Sequence, residues 1–217
     1  MSFYVIITLS VGWVVNIIKT NYSIICEKIL SDFKGKKRLL LHSCCAPCSS
    51  YVISYLINYF DITILYYNPN IFPYEEYEKR KREQIKLIHE LNENNNLSFI
   101  DCDYDNELYN KSVKGFENEP ERGSRCSICY EMSMEKAAII AKENGYDYFC
   151  TTLSVSPYKN ADLINEIGEM LEKKYNIKWL YSDFKKKDGY KKSIILSEKY
   201  GLYRQNYCGC IYSKRDT

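Results

Sequence analysis

Ten cysteines stand in this 217-residue chain, and seven fall into three tight groups: Cys44, Cys45 and Cys48; Cys126 and Cys129; Cys208 and Cys210. Thiolates are soft ligands, favoured by zinc and by iron–sulfur clusters, and four of them satisfy one zinc or one [4Fe–4S] cluster. Seven grouped thiols leave a surplus for a second metal, an open iron or a redox pair. Adjacent Cys44 and Cys45 crowd a single tetrahedral zinc but suit two irons of a cluster or two neighbouring metals. Pro47 stiffens the turn between Cys45 and Cys48. Cys126 and Cys129 are spaced to face one site from a helix N-terminus, whose dipole favours thiolate. A disulfide between Cys208 and Cys210 would close a small, strained and therefore labile ring. Read alone, that pair is equally a metal-binding pair or two idle thiols. A zinc knob that only stabilises the fold is the plainer reading of a lone CxxC, but three groups in one chain favour redox use. Cys26, Cys102 and Cys150 stand apart and read as small buried hydrophobes.

Other side chains offer weaker signals. His42 ends a short apolar run beside Cys44, placed to donate a proton, to orient a ligand, or simply to brace a strand end. Asp103 and Asp105 follow another strand, as second-tier iron ligands or proton donors, or as turn formers. His89 reads as surface or filler. A row of hydroxyls, Thr151, Thr152, Ser154 and Ser156, ends in Lys159 and Asn160. Such a loop can cradle a phosphate, or cap the following helix. Lys185, Lys186, Lys187, Lys191, Lys192 and Arg204, interleaved with Tyr190, Tyr200, Tyr203 and Tyr207, have the composition of a surface that holds RNA phosphates and unstacked bases. Most lysine runs are only solvated faces.

These residues need a scaffold, and the hydrophobic pattern supplies one. Strands are expected at 38–43, 61–67, 97–101, 146–153 and 177–181, and helices at 24–33, 49–60, 74–93, 126–144, 161–174 and 191–200. That alternation predicts an α/β fold, a parallel Rossmann-like sheet with helices on both faces. Ligands of such sheets bind outside the carboxyl ends of the strands. The Cys44 group, 68–70, 101–105, 151–156 and 182–183 all fall there, so the metal site is expected at that edge. Apolar residues make up 46% and charged residues 27%, as in ordinary globular proteins, and the formal charge is +2. RNA binding must therefore come from a local patch rather than the whole-molecule field. The chain is long enough to dispense with disulfide staples, which places it in a reducing compartment, the cytoplasm. Residues 1–18 are uncharged and apolar but carry Gly12 and Asn16 and no basic n-region, so they read as an apolar helix or strand rather than a membrane span or signal. No stable membrane association is expected. The organisation predicted is an N-terminal extension, 1–23, and one domain, 24–217.

In combination, these motifs resemble the QueH-type epoxyqueuosine reductases. The resemblance is carried by Leu39-Leu40-Leu41-His42-Ser43-Cys44-Cys45-Ala46-Pro47-Cys48-Ser49-Ser50, by Tyr67-Asn68-Pro69-Asn70-Ile71 with Pro73, Glu76 and Tyr77, and by Arg125-Cys126 with Cys129-Tyr130. Residues 151–160, Ser182-Asp183-Phe184-Lys185-Lys186-Lys187-Asp188-Gly189-Tyr190 and 200–212 complete it. Gly123-Ser124 and Glu131-Met132 depart from the expected pattern beside the second thiol pair. The resemblance implies two-electron reduction of the epoxide of epoxyqueuosine to queuosine at the wobble position of tRNA. It implies a [4Fe–4S] cluster on Cys44, Cys45, Cys126 and Cys129, an additional iron for which Cys48 is a candidate ligand, and a redox-active pair at Cys208 and Cys210. The partners implied are tRNA carrying epoxyqueuosine and an unidentified electron donor. Two rivals are a zinc-stabilised non-catalytic RNA-binding module and a nucleotide-dependent tRNA-modifying enzyme. The second would need a phosphate loop richer in glycine than anything after the first strand.

Overall fold

The structure, a computed structural model, describes residues 5–8, 13–16, 20–92 and 97–213. Strands β1 (Val5–Thr8) and β2 (Trp13–Asn16) pair antiparallel as a separate two-stranded sheet. The remainder of the apolar N-terminal segment lies outside the described residues. Among the described residues, no helix is long and apolar enough to cross a membrane.

A run of three leucines with no polar alternation marks a strand covered on both faces. Leu39, Leu40 and Leu41 are fully buried, at the centre of the main sheet. Its strands are β3 (Lys37–His42), β4 (Phe60–Tyr66), β5 (Ser98–Asp101), β6 (Tyr148–Thr151) and β7 (Lys178–Trp179). They lie in the order β5-β4-β3-β6-β7, every pair parallel. Among the described residues, seven α-helices surround them: α1 (Tyr22–Ser31), α2 (Ala46–Leu56), α3 (Tyr74–Leu91), α4 (Asn106–Ser112), α5 (Ser124–Glu143), α6 (Ala161–Tyr175) and α7 (Gly189–Lys199). From β3 the chain steps through α2 and α3 toward β5, then returns past β3 and steps through α5 and α6 toward β7. Right-handed crossovers in opposite directions put α2 and α3 on one face and α5 and α6 on the other. The helices pack accordingly, α2 on α3 and α7, and α5 on α6.

The expected strands and helices are all present. β7 is shorter than expected, because an edge strand pairs on one side only and just two of its residues enter the ladder. Helix α4, in a stretch without clear periodicity, was not expected; it follows Asp105 and buries Tyr109 and Val113. The reversal of strand order falls between β3 and β6, which opens a crevice at their carboxyl ends.

A candidate thiol-lined active site

The chain leaves β3 at His42 and enters α2 at Ala46, directly over that crevice. Cys45 is the N-cap in extended conformation, and Pro47 sits in the first turn, where its missing N–H has no helical partner to lose. Cys48 follows one turn later, so the short connection aims three thiols at one point. Their sulfur atoms all lie within 4.8 Å of one another. Three braces fix the connection. The Cys44 N–H donates to Thr152 Oγ1 at 3.2 Å, from the end of β6. Asn68 Nδ2 donates to the Ser43 carbonyl at 2.9 Å. Gln84 Oε1, fully buried on α3, accepts from Ser43 Oγ at 2.6 Å and Ser49 Oγ at 2.7 Å, one on each side of the thiols. Within the trio, hydrogen bonds from Cys44 and Cys48 hold the Cys45 thiol well below its ordinary pKa. The same bonds, with burial, push Cys48 up, and the bond to Cys45 pushes Cys44 up. One proton-poor sulfur among three is a donor set ready for a soft metal.

The second and third groups arrive from elsewhere in the chain. Cys126 and Cys129 lie in the first two turns of α5, and the tail brings Cys208 and Cys210. Cys129 and Cys208 line the same cavity as Cys44, Cys45 and Cys48, so thiols from three separate segments share one pocket. Cys126 is not among its lining residues; its half-buried sulfur accepts from the Arg122 N–H at 3.3 Å. Cys208 Sγ takes a hydrogen bond from Lys159 Nζ at 3.1 Å, and buried Cys210 Sγ lies 3.1 Å from the Tyr109 hydroxyl. Burial, with Cys208 nearby, raises Cys129. All ten cysteines are free thiols.

The family described as Epoxyqueuosine reductase QueH matches residues 39–216. A relative of that name from Staphylococcus epidermidis is 43% identical over 202 residues, covering 90% of this chain and 85% of the relative. One from Streptococcus pyogenes is 40% identical, covering 91% and 79%. One from Thermotoga maritima is 35% identical over 175 residues, covering 81% and 89%. This chain belongs to the epoxyqueuosine reductase QueH family. The matched span contains every grouped thiol and excludes the apolar N-terminal segment.

In this QueH-family chain the lesser candidates divide cleanly. His42 is a brace: its Nδ1 lies 2.8 Å from Thr151 Oγ1 and its Nε2 3.0 Å from the Tyr67 carbonyl, tying β3 to β6 and to the end of β4. The carbonyl only accepts, so Nε2 carries the proton, and burial lowers the pKa to about 4. Asp105 accepts from the Tyr67 hydroxyl, and neither it nor Asp103 lines the pocket. His89 is exposed. The hydroxyl row locks strand ends: Thr151 binds His42, Thr152 binds Cys44, and Ser154 binds the Phe184 N–H, while Asn160 caps α6. Cys26 and Cys150 are buried and Cys102 half-buried. Three pocket residues received no role from the sequence, and a fourth, Lys159, stood there only as the end of the hydroxyl row. Arg80, 2% exposed, binds Glu76 and the Cys208 carbonyl yet leaves Nη2 buried and unpartnered; Tyr130 Oη and Gln205 Oε1 are likewise buried and unpartnered. Lys159 is 8% exposed. Arg80 and Gln84 share the apolar spacing of Tyr77, Leu87 and Ile88 on α3, and polar residues in that register were a legible signal.

Proposed function

We propose that this protein reduces epoxyqueuosine to queuosine at the wobble position of tRNA, as an iron–sulfur-dependent enzyme of the cytoplasm. The observation that carries the reading is the convergence of Cys44, Cys45, Cys48, Cys129 and Cys208 on one pocket at the switch point of the sheet. The relatives' names supply the reaction, and the thiols are a donor set suited to it. Unpartnered buried atoms of Arg80, Tyr130 and Gln205 around the same pocket fit a cavity built to hold something polar.

Cys44, Cys45, Cys126 and Cys129 would hold a [4Fe–4S] cluster, and Cys48 a ligand for an additional iron; bound there, such a centre supplies electron transfer and Lewis acidity. The chain's own residues do the remaining work. Cys208 and Cys210 are the redox-active pair, matched in electron count to a two-electron reduction. Arg80 holds the Cys208 carbonyl at 2.9 Å and lies 5.0 Å from the Tyr207 ring, which fixes the tail against the pocket. Tyr190, Arg204 and Tyr207 line the pocket and would receive an unstacked base and its phosphate.

The test is metal and sulfide analysis after anaerobic purification, paired with nucleoside analysis of tRNA incubated with the reduced protein. Iron with sulfide and conversion to queuosine are expected, and Cys45→Ala and Cys126→Ala should each lose both. Zinc without iron, or full conversion by Cys126→Ala, would sink the cluster assignment.

A further inference from the structure

Removing an epoxide oxygen as water requires that oxygen to gain two protons, and a positioned acid accelerates such a transfer by about 100-fold or more. Few groups around the pocket can serve. His42 is neutral, with both ring nitrogens engaged. Arg80 and Arg204 do not release their protons. Tyr130 Oη is buried without a hydrogen-bond partner, so nothing beside it resupplies a proton. Lys159 differs from all of these. Its side chain is 8% exposed, it lines the pocket, and its ammonium sits 3.1 Å from Cys208 Sγ, 3.4 Å from Glu121 Oε1 and 5.7 Å from the centre of the Tyr130 ring.

We infer that Lys159 is the acid that protonates the oxygen leaving the epoxide, and that Cys208 is the source of the proton it passes on. The inference rests on the reading of Cys208 and Cys210 as the electron source. The balance closes on Cys208, Cys210 and the epoxide. The two thiols lose their S–H bonds and form one S–S bond, which releases two electrons and two protons. The electrons enter the substrate as both C–O bonds of the epoxide break and a C=C bond forms. The oxygen leaves as water with the two protons, one carried across by Lys159 and the other from Cys210. A dithiol reductant then returns the pair to thiols, one dithiol oxidised per epoxide.

The surroundings of Lys159 suit this exchange. Burial works against its charge, but Cys208, Tyr130 and Glu121 outweigh burial and hold the ammonium protonated, well above the ordinary lysine range. Once Cys208 is part of a disulfide its sulfur is a poorer hydrogen-bond acceptor for the ammonium, and the burial that opposes the ammonium is less well offset. Lys159 thus becomes the stronger acid as electrons leave the sulfur. Arg122, Asp162, Asp183 and Lys185 share a second cavity with it, on the side of the α6 N-terminus, and Cys129 faces it from α5.

The test is single turnover of tRNA bearing epoxyqueuosine by the pre-reduced holoprotein, without added donor, for Lys159→Arg, Lys159→Met, Lys159→Ala and Cys208→Ser. Lys159→Arg and Lys159→Met should keep their iron and sulfide, bind the tRNA within about threefold of wild type, and turn over at least about 100-fold more slowly. Lys159→Ala should be rescued by added alkylammonium ions, faster with the more acidic ones. Lys159→Arg at the wild-type rate overturns the inference, because guanidinium keeps the charge and not the transferable proton; so does a rescue indifferent to the acidity of the ammonium. Full turnover by Cys208→Ser overturns the electron source itself. An inactive Cys208→Ser beside a fully active Lys159→Arg removes Lys159 alone.

Discussion

Gln84 is enclosed on α3, and its carbonyl oxygen takes hydrogen bonds from both Ser43 and Ser49 while its Nε2 finds no partner. An unsatisfied buried amide proton is a cost that a residue kept only for packing would not carry. Its effect is to hold the two ends of the thiol connection at fixed separation. Gln84→Leu strands two hydroxyls, but each has a backbone carbonyl near, Cys45 O at 3.4 Å for Ser43 and Ala46 O at 3.2 Å for Ser49. The expected loss is therefore about 1–2 kcal/mol rather than the penalty of two orphaned groups. Urea unfolding checks the stability, and the iron bound per chain should fall with it. Unchanged iron content in Gln84→Leu would show that the brace does not position the thiols.

At the scale of elements, two joints position the site. His42 links β3, β6 and the end of β4 through its two ring nitrogens. Its folded pKa of about 4 lies below the ordinary 6.5, so the folded protein resists a proton that the unfolded chain accepts. Stability from this joint is complete above about pH 6.5 and declines as pH falls toward 4, by about 3 kcal/mol across that window. Urea midpoints at pH 7 and 4.5 should separate far more in wild type than in His42→Asn, and equal separations would falsify the joint. The second joint is the tail. Gly209 has φ +103°, and a Cβ there would stand 2.8 Å from Arg80 Nη1 and 3.0 Å from Ile71 Cγ1. Gly209→Ala combines backbone strain of about 1–3 kcal/mol with displacement of the side chain that holds Cys208. Faster proteolysis of the tail and lowered turnover are expected. A tail as resistant as wild type would leave Gly209 without a positioning role.

At the scale of the molecule, a charge of +2 provides almost no long-range attraction for RNA. Exposed Arg204 lines the pocket with Tyr190 and Tyr207, and exposed Lys192 lies two residues after Tyr190 on α7; these two cations concentrate what attraction there is. The KM for tRNA should rise with salt, and Lys192→Glu or Arg204→Glu should each flatten the log–log slope by about one phosphate contact with little change in kcat. A slope unaltered in both variants would place the RNA elsewhere. The same scale explains why the fold suits the chemistry. Reversal of strand order at β3 and β6 splays the following helices apart, and the crevice left between them receives thiols from α2, α5 and the tail.

Much of this was legible without coordinates. The Leu39 to Leu41 run, the alternation of strand and helix, and the placement of Cys44, Cys45 and Cys48 in a strand-to-helix turn follow from local pattern, because burial on both faces and helix entry are written in neighbouring residues. Helix α4 was not legible, since its seven residues hold one buried side chain, Tyr109, with Val113 just past the end, too few for a period. The roles of Arg80, Gln84 and Lys159 were not legible either. Each depends on a partner far along the chain: Cys208 lies 128 residues from Arg80, Ser43 41 from Gln84, and Cys208 49 from Lys159. Sequence by itself determined which thiols exist, how they are grouped and which elements carry them. Only the tertiary structure decided which groups share a pocket and which charges face them, because those contacts arise from the crossing of the chain at the switch point and leave no trace in local periodicity.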